Sequence, residues 1–336
     1  MKLLICYGTR PEWIKVKPLI DLLKTEYFNV KVLFTGQHDK NIETDFAYDD
    51  RLFVLGGKNR LDSIVKSICD DHIFNLKVKY GITHVLVQGD TTTAMAIAIS
   101  ALNNQIKVIH LEAGLRTNDN QNPYPEEQNR RIIGQIADIH LCPTELNKQN
   151  LTRENITNNT FVVGNTAIDN LVRFKKYCRY ENKILVTLHR RENHDIINKW
   201  FEEIEKLAIR YPNYEFLIPL HPNPNVQKYK DILKSVKIVA PMKHEDMLKY
   251  LVNIKMAITD SGGLQEECSY FNKKCLTCRI VTERPESIGT STHIINAPSD
   301  LGGIFDSNIN DCIIDYPCPY GDGNACKKIY EVFKLL

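Results

Sequence analysis

Again and again this chain ends an apolar, β-prone run on a glycine, an acid, a histidine or an arginine. Val85-Leu86-Val87 leads into Gln88-Gly89-Asp90 and three threonines, and Val108-Ile109-His110-Leu111 leads into Glu112-Ala113-Gly114-Leu115-Arg116. Met256-Ala257-Ile258-Thr259 leads into Asp260-Ser261-Gly262-Gly263. Parallel α/β sheets collect ligands at the carboxyl ends of their strands, where free backbone donors and helix N-termini converge. Recurrence of the pattern describes a sheet edge equipped for an anionic ligand.

The spacing of these runs predicts the architecture. Strands are predicted at 3–7, 30–34, 84–87, 108–111, 139–141 and 161–163, then at 184–188, 216–219, 238–239, 256–259 and 275–277. Amphipathic stretches such as 200–211 and 245–251 lie between them. Alternating strands and helices imply parallel sheets. A polar stretch at 170–182 separates two such series, and 336 residues exceed what one core holds. The expectation is an α/β chain of two Rossmann-like domains facing a cleft. The N-terminal domain is expected over 1–169 and the C-terminal one over 170–325. A last helix is expected over 326–336, closing the second domain or crossing back to the first.

Composition narrows the function by exclusion. A formal charge of +2 gives no bulk attraction to nucleic acid or to an anionic membrane. No apolar run reaches the ~18 residues of a bilayer span. The start, Met1-Lys2-Leu3-Leu4-Ile5-Cys6-Tyr7, lacks the pattern of a signal peptide. The ten cysteines therefore read as reduced thiols in a cytoplasmic protein. The turn after the first run, Gly8-Thr9-Arg10-Pro11-Glu12, is not a dinucleotide fingerprint. Gly321-Asp322-Gly323 sits in a late loop and reads as a turn. Cys275 and Cys278 have redox spacing but fall on a predicted strand, and the histidines lack ligand spacing, so neither metal nor cofactor is expected.

The sharpest local signal is Asp260-Ser261-Gly262-Gly263-Leu264-Gln265-Glu266-Glu267. A strand ends, small residues let the backbone approach an oxyanion, and a helix begins with its amides free. Ser261 can cap that helix. The acids one turn in suit ribose hydroxyls. Arg10 follows the first strand, Lys15 falls on the first helix, and Arg284 follows the last; arginine forks suit a diphosphate. Asp90 and Glu112 end buried strands, where an acid must be paired or solvated. With His221 they form a candidate acid/base set. Glu126 and Glu127 follow Pro125 at a helix start, where acids suit the first turn, and for Glu127 that structural role is the favoured one. His189 and Arg190 are polar and strand-terminal.

Together these segments resemble the non-hydrolysing UDP-N-acetylglucosamine 2-epimerase family. The resemblance runs from Gly8–Glu12 through Gly89–Thr93, Glu112–Thr117, Pro125–Arg130, Gly164–Thr166, His189–Asn193, His221–Pro224 and Asp260–Glu267 to Thr282–Glu286. It implies a glycosyltransferase-B arrangement, with UDP held mainly by the second domain. It also implies Ser261, Gly262 and Gly263 at phosphate, Glu267 at ribose, and Arg10, Lys15 and Arg284 around the diphosphate. His189 and Arg190 are expected to line the UDP-sugar site, while Asp90, Glu112, Glu126 and His221 fall on catalytic positions. The reaction implied is inversion of carbon 2, UDP-GlcNAc to UDP-ManNAc, with no metal, no cofactor and a homodimeric enzyme. A glycosyltransferase on the same fold, a 2-epimerase of a modified UDP-2-acetamido sugar and a non-catalytic nucleotide-sugar binder are the alternatives. The chain departs from the family by shortening 39–61, which puts allosteric activation near Gln37 and His38 in doubt. No aromatic stands at the expected uracil position, where Met247 or Tyr250 is expected to substitute.

Overall fold

In the computed structural model, which describes residues 1–37, 46–54, 58–311 and 316–336, the chain divides into two compact units. One comprises Met1–Asn170 with Gly321–Leu336, the other Leu171–Tyr320. His38 and much of the shortened stretch, 39–45 and 55–57, lie outside the described residues.

The first unit is built on a sheet of order β3-β2-β1-β4-β5-β6-β7, parallel throughout. Its strands are β1 Leu3–Tyr7, β2 Val30–Phe34, β3 Asp50–Arg51, β4 His84–Gln88, β5 Lys107–Leu111, β6 Ile139–Cys142 and β7 Thr160–Val162. Side chains alternate between faces: Leu3, Ile5 and Tyr7 enter one apolar cluster, Leu4 and Cys6 the other. Burial on both faces is why these strands read as continuous apolar runs. The terminal helix Ala325–Lys334 packs against the helices Arg10–Thr25 and Thr166–Asp169, and buries Ile329 and Phe333 in the first cluster. The Asp169 carboxylate caps it, accepting from the amides of Ala325 at 3.0 Å and Cys326 at 2.8 Å.

The second unit repeats the plan with order β10-β9-β8-β11-β12-β13, again parallel. The strands are β8 Lys183–Thr187, β9 Glu215–Pro219, β10 Lys237–Val239, β11 Met256–Thr259, β12 Lys274–Thr277 and β13 Thr292–Ile294. The helix Ile197–Arg210 covers one face with Trp200, Phe201, Ile204 and Leu207, all buried. The strand-like runs of the sequence are strands, each end falling within one residue of its expected place. The short strands β3 and β13 carried too few apolar residues to be seen beforehand.

Each sheet reverses its strand order once, between β1 and β4 in the first unit and between β8 and β11 in the second. Connections leave in opposite directions at such a point, opening a crevice at the strand ends.

Candidate functional site

The strand ends at the two reversals, and those of the neighbouring strands, carry the residues that the sequence singled out. In the first unit Gly8 opens the turn after β1, where a Cβ would lie 2.3 Å from the Thr35 hydroxyl. Thr9 caps the helix Arg10–Thr25 in a reciprocal capping box with Glu12. Glu12 is buried, and its carboxylate accepts from the amides of Gly8 and Thr9 at 2.9 and 2.7 Å. It also accepts from the Thr91 hydroxyl at 2.7 Å, so one carboxylate ties the turn after β1 to the turn after β4.

Asp90 stands in that second turn, after Gly89 at φ +71°. Its carboxylate meets the Arg130 guanidinium at 2.5 Å, and its backbone carbonyl accepts from the Asn129 side-chain Nδ2 at 2.9 Å. Glu112, just beyond β5, adopts φ +67°, a left-handed conformation that costs a non-glycine residue about 1–3 kcal/mol. Lys15 donates to both of its oxygens, at 2.5 and 2.6 Å, and Gln88 donates to one. The acids at the strand ends are thus paired, Glu112 as its burial requires and Asp90 with 28% of its side chain still exposed. Glu126 begins the helix Glu126–Ile136 and is half-buried. Glu127, fully buried, accepts from the amides of Thr117 and Asn118 and pairs with Arg130 and Arg131, a structural tie for the loop after Glu112. Arg10 is half-buried at the start of its helix.

In the second unit the completely buried Asp260 follows β11. One of its oxygens accepts from the amides of His189 and Arg190, both at 2.9 Å, and from Asn193 at 3.1 Å. The other lies 3.3 Å from His189 Nδ1. The rings of His189 and His221 stack with centroids 5.4 Å apart. Desolvation, then the neighbouring His189, lowers the pKa of His221, whose Nδ1 accepts from the Asn223 amide at 3.2 Å.

Ser261 caps the helix Gly262–Tyr270 as expected of its position. The adjacent glycines differ. A Cβ on Gly262 would lie 2.6 Å from the Arg284 guanidinium, whereas at Gly263 the nearest atom would be 4.0 Å away. A side chain at 262 would therefore displace the Arg284 guanidinium, whereas position 263 has room for one. Arg284 is buried, bound to Glu266 at 2.5 Å and to Glu283. Glu283 also holds Arg279 at 2.9 Å, and Arg279 holds Glu192 at 3.0 Å. Arg190 approaches Glu283 at 3.6 Å. The two acids grouped in the sequence thus part company: Glu266 is sealed on Arg284, and Glu267 turns to His244 at 2.7 Å.

Sequence reasoning passed over Glu12, Asn129, Arg130, Asp260, Arg279, Glu283 and His244 as functional groups. Thr9-x-x-Glu12 is a capping-box signature and signalled Glu12. Asp260 was visible as a strand-end acid. The others depend on which elements become neighbours, and no local signal marks them.

Two parallel α/β units, each with charged and glycine-bearing strand ends at its sheet reversal, define a protein of the class that handles phosphorylated, nucleotide-like ligands. The UDP-N-acetylglucosamine 2-epimerase family model matches residues 21–334. The UDP-N-acetylglucosamine 2-epimerase of Campylobacter jejuni is 35% identical over 98% of this chain and 97% of its own. That of Escherichia coli K12 is 33% identical over 99% and 98%. The crystal structure of the Neisseria meningitidis UDP-GlcNAc 2-epimerase bound to UDP-GlcNAc superimposes with a TM-score of 0.91 over 100% of both chains, at 33% identity. The chain belongs to the UDP-N-acetylglucosamine 2-epimerase family, whose members are isomerases.

Proposed function

We propose that this protein interconverts UDP-GlcNAc and UDP-ManNAc by inverting carbon 2 of the sugar, as a cytoplasmic homodimer working without metal or redox cofactor. What supports the reading is that candidate acids, cations and histidines follow the strands of both sheets, Arg10 and Asp90 at the reversal of the first and His189, Arg190 and Ser261 at that of the second. Relatives crystallised with UDP-GlcNAc, from N. meningitidis and Methanocaldococcus jannaschii, support the substrate.

The carbon-2 proton has no adjacent carbonyl, so direct abstraction is prohibitive. Breaking the carbon 1–oxygen bond first sends its electron pair to the departing UDP and leaves an oxocarbenium-like centre. A carboxylate then takes the carbon-2 proton, giving 2-acetamidoglucal beside UDP. Reprotonation on the opposite face and return of the UDP oxygen to carbon 1 complete the inversion. In this reading the second unit holds UDP through Ser261, the Gly262 and Gly263 amides, Arg190, Arg284 and Glu267. Cations around the diphosphate stabilise the leaving charge. Asp90, Glu112 and Glu126 of the first unit supply acid and base, with Arg10 serving the diphosphate. Lys15, already on Glu112, favours that carboxylate in its ionised, proton-accepting form. His221 completes the acid/base set: its Nδ1 accepts from the Asn223 amide, so Nε2 carries the proton, and the His189 ring stacks beside it. His189, with Nδ1 3.3 Å from the buried Asp260 carboxylate, lines the UDP-sugar site in this reading. For the uracil we favour Met247, because the Tyr250 hydroxyl donates to Glu215 at 2.9 Å.

Incubation with UDP-GlcNAc in D2O tests the proposal. Deuterium at carbon 2 with a mannosamine product is expected. UDP release only in the presence of an acceptor sugar would instead identify a glycosyltransferase.

A further inference from the structure

Successive residues of a helix point about 100° apart, and the helix Gly262–Tyr270 uses this to give neighbouring acids opposite fates. Glu266 is sealed against Arg284 with 2% side-chain exposure, whereas Glu267 keeps 12%. His244, the first residue of the helix His244–Leu251, meets it there, with Nε2 at 2.7 Å from Oε1. A carboxylate only accepts, so Nε2 carries the proton and donates. The bond occupies one carboxylate oxygen and leaves Oε2 without a hydrogen bond among the described residues. It also removes rotamer freedom that a glutamate would otherwise lose on binding a ligand.

We propose that His244 is a positioning residue for ribose recognition: by fixing Glu267 it presents a ready acceptor to the nucleotide's 2′,3′-diol and lets the site distinguish ribonucleotide from deoxynucleotide. The inference rests on the reading that the second unit binds UDP. It makes His244 a determinant of selectivity, remote from the chemistry at carbon 2.

Calorimetric titration of the full chain with UDP and with 2′,3′-dideoxy-UDP tests it. The wild type is expected to prefer UDP. His244→Phe, which keeps a ring and removes the donor, is expected to narrow that preference by about tenfold, the effect of one hydrogen bond to a charged group. Binding of the dideoxy nucleotide should stay unchanged. His244→Gln, which returns an N–H donor, should restore most of the preference, and Glu267→Gln should abolish it. Equal weakening of both nucleotides by His244→Phe would mark a merely structural residue and overturn the proposal. So would an unchanged preference in either His244→Phe or Glu267→Gln. Failure of the wild type to bind UDP would overturn the reading of the second unit itself.

Discussion

Gly262 and Gly263 are chemically identical neighbours with separable duties. Gly262→Ala drives a methyl into the Arg284 guanidinium, 2.6 Å away, and is expected to lower stability by about 1–3 kcal/mol as the buried ion chain shifts. Gly263→Ala meets nothing, and as a helical residue should leave stability unchanged or raise it by up to about 1 kcal/mol. Under the proposed function it should nonetheless weaken UDP binding, because the methyl occupies the space where a phosphate approaches the backbone. Urea unfolding and calorimetry separate the two effects, and wild-type UDP affinity in Gly263→Ala would refute the assignment. At Asp90 the expectation concerns turnover. Asp90→Asn keeps the shape of the turn and removes the charge, so the rate should fall by about 10²–10⁴-fold while UDP still binds. Unchanged turnover would remove Asp90 from the catalytic set. Both glycines were legible as a turn that opens a helix, but their division of labour was not, because it depends on an arginine 22 positions from Gly262.

The strand-end turns act as elements held from several sides. The turn carrying Asp90 is gripped by Glu12 through Thr91, by Asn129 at the Asp90 carbonyl, and by His110 on β5, whose Nε2 donates to the Gly89 carbonyl at 2.8 Å. Burial drives the His110 pKa from 6.5 down to about 3. Its folded form stays neutral while the unfolded chain takes up a proton below about 6.5. Its contribution is therefore fully present above that pH and is lost as the solution is acidified towards about 3, at roughly 1.4 kcal/mol per pH unit. His110→Gln retains a donor for the carbonyl and removes the titration. It should flatten the dependence of unfolding free energy on pH between about 6 and 4 by that amount, and an identical slope in both proteins would exclude His110 as the cause. Periodicity located β5 and its neighbours, but it could not show which side chain of a continuous apolar run would reach sideways to a turn.

Across the whole molecule, two separate cores follow from two separate sheets, and the end of the chain contributes to the first. Phe333 is buried among residues of that unit. Phe333→Ala should cost about 3–5 kcal/mol and accelerate amide exchange in β1 and β2, leaving β8 and β11 protected. Equal loss of protection in both sheets would show that the units do not unfold independently. Sedimentation of the full chain checks the proposed homodimer.

Strand positions, helix starts, the capping of Thr9 and Ser261 and the chemistry of each strand end were written locally, because alternation, turn residues and caps act over a few residues. The motifs, taken in order, also pointed to the family. The partners of the charged groups were decided only by folding. Glu112 reaches Lys15 across 97 positions, Asp90 reaches Arg130 across 40, and the amide of His189 reaches Asp260 across 71. Such pairings depend on strand order and on burial, which forces each acid to find a cation or a donor; neither is encoded in any short stretch of chain.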